Sequence, residues 1–159
     1  MLEPATLLCA LGCGLIAGAF FAFSTFVMKA LGKLPTAQGI AAMQSINLAV
    51  INPWFMAAFM GTALLCVIVA ALGWNAPAAS YLFGGGVLYV AGTFGVTMAC
   101  NVPRNNALAA VDPASAQAET LWRDYLSSWT FWNHVRTIAA LGASALFILA
   151  LGSRPWPPA

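Results

Sequence analysis

Four long apolar stretches constrain this chain more than anything else in it. They cover about residues 5–31, 53–72, 78–100 and 129–151, each near the roughly 20 residues a helix needs to cross a bilayer. Soluble domains carry about a quarter of their residues as charges. Here 6% are charged and 62% hydrophobic, so six Lys/Arg and four Asp/Glu would have to clothe 159 residues in water. They cannot, and a soluble globule is excluded. A formal charge of +2 from scattered residues gives no basic face, so nucleic acid is not an expected partner. The lipid bilayer is.

Local chemistry marks the boundaries. The start, Met1-Leu2-Glu3-Pro4, lacks the positive flank of a secretory signal, so the first stretch reads as a retained span. Asn52-Pro53 supplies a cap followed by proline at the first helical position. Pro77 opens the third span, and Asn101-Val102-Pro103 is predicted to close it, because a residue before proline avoids helical backbone. Arg154-Pro155-Trp156-Pro157-Pro158 is expected to end the chain at an interface.

Two longer connections remain. Residues 34–51 predict a short helix carrying Gln44 and Asn47. Asp112-Pro113 is predicted to start another, with aspartate as cap and Trp122, Tyr125, Leu126 and Trp129 on one face. Glu119 and Arg123 form a favourable i,i+4 pair on it. The expected fold is all-α: an integral membrane four-helix bundle, one domain over residues 1–159, with short interfacial helices in both long connections. With four spans those connections share a side, and that side holds Lys29, Lys33, Arg104, Arg123 and Arg136, against Arg154 on the other. The positive-inside rule then places the connections in the cytoplasm and both termini outside.

The cysteines lack a C-x-x-C pair; Cys9, Cys13, Cys66 and Cys100 read as small buried thiols. Gly14, Gly18 and Ala22 form a small-residue stripe suited to close helix packing. The informative residues are polar and gather at one end of the spans. Asn47 and Asn52 precede the second span, Asn101, Arg104, Asn105 and Asn106 follow the third, and Asn133, His134, Arg136 and Thr137 open the fourth. Ionisable groups inside a span are costly and mark function by default. On a helical wheel of about 100° per residue, Arg136, Asn133 and Thr137 face one way, while Phe131, Trp132 and Ile138 face lipid. His134 falls about 160° from Arg136 on that wheel, so the two flank a site from different sides.

There is no G-x-S-x-G elbow, no phosphate-binding loop and no H-E-x-x-H. One histidine without an intramembrane carboxylate falls short of a metal site. Haem needs only one axial histidine, so a haem- or quinone-binding subunit ligated through His134 stays open. So does a non-catalytic scaffold or carrier. Otherwise the residues describe an apolar, aromatic-lined cavity with amides, an imidazole and a guanidinium at its mouth. That composition suits a flat, lipophilic, weakly acidic ligand, with arginine holding an enolate or phenolate and histidine taking a proton.

Phe21-Ala22-Phe23-Ser24, Asn47, Asn52-Pro53, Asn101-Val102-Pro103-Arg104-Asn105 and the run from Trp129 to Thr137 resemble the anthrone oxygenase-like family of small integral membrane proteins, over nearly the whole chain. The resemblance implies oxidation of anthrones from polyketide pathways by molecular oxygen, with no metal or organic cofactor. It implies a lipophilic aromatic molecule and O2 as partners, a homo-oligomer as a further one, and a bacterial inner membrane as location. The catalytic candidates are Arg136, His134 and Asn133, with His134 or a bound water as base. The substrate-binding candidates are Asn101, Asn105, Arg104, Asn47, Asn52, Trp129 and Trp132.

Overall fold

The structure, a computed structural model, describes residues 2–153. Those residues form five helices and no strand: α1 Leu2–Leu31, α2 Thr36–Ala49, α3 Pro53–Leu72, α4 Ala79–Ala109 and α5 Ala118–Gly152. All but α2 are long and apolar enough to cross a membrane, as an integral membrane protein requires.

Asn52 caps α3 as its sequence predicts. Its side chain accepts from the Phe55 amide at 3.0 Å and donates to the Ala49 carbonyl at 2.9 Å, with Pro53 at the helix start. The other boundaries differ more. Pro77 lies in a turn and α4 begins at Ala79. Val102-Pro103 does not end that helix, which stays helical to Ala109, with Val102 at φ −59° and ψ −46°. The backbone just before the proline, Thr97–Asn101, is π-helical. Its altered hydrogen-bond spacing accommodates a residue that has no N–H to give.

The second connection departs further. The Asp112 carboxylate accepts from the Ala114 amide at 3.0 Å and shapes a turn; it caps no helix. The predicted interfacial helix and the fourth span are one 35-residue rod, about 52 Å long at 1.5 Å per residue. No proline or glycine interrupts the sequence from Ala118 to Leu141, so nothing separates the two. The terminal segment from Arg154 to Pro158 lies outside the described residues.

The four long helices pack in a ring: α1 against α3 and α5, and α4 against α3 and α5. One core runs through the middle, with Cys13, Phe20, Cys66, Tyr89 and Phe147 buried in it. A second closes one end, where Met28, Met43, Leu108, Trp122 and Tyr125 meet. Its members come from α1, α2, α4 and α5, so both long connections share that end. Gln44 fastens α2 there, donating to the carbonyls of Leu108 at 2.9 Å and Val111 at 3.2 Å. Outward faces expose Leu15, Leu64, Phe83 and Ile138, side chains suited to lipid.

The glycines of the small-residue stripe do not make the close helix packing expected of them. A Cβ on Gly18 would meet nothing within 4 Å, and one on Gly14 would only touch Ser144 at 3.4 Å. Close approach falls at other glycines: Gly12 of α1 against Thr62, Gly92 of α4 against Ala139, and Gly39 of α2, where a Cβ would sit 2.9 Å from the Trp122 ring and 3.0 Å from the Leu31 carbonyl. Gly39→Val is therefore expected to lift α2 off this end and cost about 1–3 kcal/mol, read as a lowered unfolding midpoint in detergent. An unchanged midpoint would show that α2 does not depend on that contact.

Candidate functional site

Arg136 is an intramembrane cation that is 5% exposed. Its placement follows from α5 itself, whose wheel turns Trp129, Asn133, Arg136 and Thr137 to the bundle interior, all buried. The guanidinium lies over two aromatic rings, with Cζ 3.9 Å from the Phe20 centroid and 4.8 Å from that of Trp129. Its Nε donates to Asn133 Oδ1 at 2.9 Å and Nη1 to Thr97 Oγ1 at 3.2 Å. No carboxylate among the described residues pairs with it; Arg123 pairs with Glu119 instead on the exposed surface. Ring faces and neutral oxygens carry a charge that burial alone makes costly.

Asn133 joins this cation to α1. Its amide donates to the Phe20 carbonyl at 2.7 Å and to Ser24 Oγ at 2.6 Å. Ser24 in turn lies 3.2 Å from Thr137 Oγ1, which donates to the Asn133 carbonyl at 2.6 Å.

Helix α4 meets α5 through four residues spaced by four: Thr93, Thr97, Asn101 and Asn105. Thr93 donates to the Arg136 carbonyl at 3.3 Å, and Asn101 to the Trp129 carbonyl at 3.2 Å. Asn105 Oδ1 accepts from Trp129 Nε1 at 2.8 Å and from the Tyr125 hydroxyl at 2.9 Å. A four-residue step drifts about 40° on a regular α-helix, so this row would wind away from α5. It stays in contact because Leu88–Gly95 and Thr97–Asn101 are π-helical. Ser24 also sits in a π turn, Phe23–Val27, a feature that recurs at functional sites.

Among the described residues, two buried amide atoms lack a hydrogen-bond partner, Asn101 Oδ1 and Asn47 Nδ2. Asn47 lies close to Tyr125, whose ring stacks between Trp122 and Trp129. Unpaired buried groups are rare and call for a ligand, an ion or a water.

The structure brings together Arg136, Asn133, Asn101, Asn105, Trp129 and Asn47. It leaves others out. His134 is exposed on the outer face of α5 and does not flank the Arg136 cluster in the way its wheel angle predicts. Trp132 packs edge-on against the exposed Phe131 instead of the cluster. Asn52 is occupied as a helix cap. Arg104 folds back to the Cys100 carbonyl at 2.6 Å and reaches Ser128 Oγ at 3.0 Å, clamping α4 to α5. At the end where a cavity with polar groups at its mouth is expected, the structure has a small pocket of about 150 Å³ lined by Arg104, Asp124, Tyr125 and Ser128 among others. A larger groove of about 430 Å³, open to the surface, lies between α3 and α4 and is lined by apolar residues such as Ala70, Trp74, Phe83 and Val90. The polar groups close instead around Arg136. Phe20, Thr93, Thr97 and Tyr125 were not among the sequence candidates; the four-residue spacing that leads from Thr93 to Asn105 was the available signal.

No group of three or more His, Cys, Asp or Glu is placed to hold a metal ion among the described residues. Cys13 and Cys66 lie with sulfurs 4.0 Å apart as free, buried thiols.

The family described as anthrone oxygenase matches residues 51–146, more than half the chain. This chain belongs to the anthrone oxygenase family. The match is shorter than the near-complete resemblance drawn from the sequence: it takes in the polar row of α4 and the Trp129–Arg136 face of α5, and leaves out Phe20, Ser24 and Asn47. No curated protein and no solved structure matches the chain. Family membership points to oxygenase-like function.

Replacing Asn133 by leucine removes at once the side-chain partner of Arg136 Nε and the bonds to the Phe20 carbonyl and Ser24 Oγ. Asn133→Leu is expected to cost about 2–4 kcal/mol, measured by denaturant unfolding in micelles. A loss below about 1 kcal/mol would show that the network contributes little to the fold.

Proposed function

We propose that this protein is a membrane-embedded oxygenase that oxidises a lipophilic, polyketide-type phenolic substrate of the anthrone class with O2. The observation that carries this reading is Arg136, a buried cation with no carboxylate partner among the described residues. An anthrone C–H between two aryl rings is acidic because its anion is a phenolate. An oxyanion about 4 Å from a guanidinium gains about 4 kcal/mol at an effective dielectric of about 20, or about three units in acidity. Desolvation among Phe20, Trp129 and Phe23 strengthens that attraction.

The released proton passes to water, since His134 faces outward. The anion gives one electron to O2, and the resulting carbon radical and superoxide combine to a hydroperoxide after protonation. Loss of water leaves the ketone: one oxygen atom stays in the product and the other departs in water. Asn101 Oδ1 and Asn47 Nδ2 are free to orient the substrate's own polar groups. Because Phe20 and Trp129 lie over the faces of the guanidinium, while Nε and Nη1 donate to Asn133 and Thr97, the oxyanion approaches along the N–H edge and leaves both rings in place.

The location that fits is a bacterial inner membrane, with the Lys29, Lys33, Arg104 and Arg123 end in the cytoplasm and both termini outside. A second reading, a carrier that binds the same anion without chemistry, is favoured by one observation: no histidine or carboxylate hydrogen-bonds to Arg136 among the described residues.

Oxygen uptake with an anthrone in proteoliposomes, corrected for spontaneous oxidation, separates these. Arg136→Gln is expected to lower kcat/KM about a hundredfold or more. Asn133→Asp should do nearly as much, by giving the cation its own carboxylate. His134→Gln should stay within about twofold of wild type, since its side chain is outside the cluster. Full activity of Arg136→Gln would sink the proposed site. Wild-type binding without oxygen uptake would establish the carrier.

A further inference from the structure

Two asparagines flanking Pro103 grip one tryptophan at two points. Asn101 Nδ2 holds the Trp129 carbonyl at 3.2 Å, and Asn105 Oδ1 holds its indole N–H at 2.8 Å. The Tyr125 hydroxyl, also on Asn105 Oδ1 at 2.9 Å, braces the same acceptor, and the Tyr125 and Trp129 rings stack at 6.0 Å. The held ring is the one whose centroid lies 4.8 Å from the Arg136 guanidinium. Backbone contact through Asn101 fixes where residue 129 sits, but the indole can still turn about its side-chain bonds. Only Asn105 fixes that rotation by a directional bond.

We propose that Asn105 is a positioning residue: by orienting the Trp129 ring against Arg136 it keeps the cation's N–H edge available to an anionic oxygen. This rests on Arg136 being the anion site of the proposed function. An aromatic ring attracts the flat face of a guanidinium, whereas an oxyanion takes its N–H groups in the plane. The two therefore bind without competing, and the ring leaves the charge less hydrated and less mobile. Without the Asn105 bond the indole rotates, water reaches the guanidinium, and its attraction for an anion falls.

The test measures binding of 4-nitrophenolate, whose yellow absorbance identifies the anion, to full-length protein in neutral detergent. Wild type should bind it, and Arg136→Gln should weaken binding at least tenfold. Asn105→Ala and Trp129→Phe should each weaken it about threefold to thirtyfold, the range of a partly desolvated cation–π contact. The double variant should be no weaker than the weaker single one, because both remove the same interaction. Tyr125→Phe, which leaves the indole bond in place, should stay within about threefold of wild type.

Additive losses in the double variant would overturn the proposal, as would unchanged binding by Asn105→Ala. Trp129→Phe is a check that does not require Asn105→Ala to fold; if it alone leaves affinity untouched, ring orientation does not matter and the proposal fails. The reading beneath it fails separately, if Arg136→Gln binds the anion as wild type does or wild type does not bind it.

Discussion

A guanidinium inside a bundle of apolar helices imposes conditions that the rest of this molecule meets. The charge loses its hydration, and no carboxylate among the described residues replaces it. What replaces it is a set of partial charges: two ring faces, an amide oxygen and a hydroxyl. These come from α1, α4 and α5, so satisfying one side chain fixes three helices relative to one another. Asn133 is central to this, since one end of its amide serves Arg136 and the other holds α1 through Phe20 and Ser24.

The π-helical turns answer a geometric problem created by that demand. A helix that must present hydroxyls and amides to one neighbour over three turns cannot do so at a strict four-residue spacing without drift. Widened turns in α4 correct it, and they bring Thr93, Thr97 and Asn101 onto α5. The same backbone accommodates Pro103. The Thr97 hydroxyl also donates to the Thr93 carbonyl at 2.8 Å, and such back-bonding commonly perturbs a helix. Irregular backbone in a membrane is tolerable where protein covers it, and here α5 does.

Much of the frame was legible in the residues. The spans followed from hydropathy, the α3 cap from Asn52-Pro53, and the inward face of α5 from its wheel. That wheel also separated His134 from Arg136, although both were retained as candidates. Chemical type alone could not tell which asparagine is a cap, which a clamp and which carries an orphaned atom: Asn52, Asn105 and Asn101 are the same side chain in three neighbourhoods. Proline misled at Val102-Pro103, because a local preference against helix is smaller than the packing that holds α4 on α5. At the second connection the aspartate-proline pair looked like a helix start, yet α5 begins at Ala118 and runs unbroken into the span.

By itself the sequence determined that the chain is helical, apolar and bilayer-sized, and that a cation and several amides lie at one depth. Those properties depend on hydrophobic length and on helical period, which are local. Tertiary structure decided that Arg136 has ring faces and no counter-ion among the described residues, that Trp129 is held at two points by α4, and that the larger apolar groove lies away from the polar cluster. These depend on which faces of α1, α4 and α5 meet and on π turns that reset the phase of a stripe. A helical wheel drawn on one segment fixes direction around its own axis. It does not fix the partner across the interface, and the partner sets the electrostatics of a buried charge.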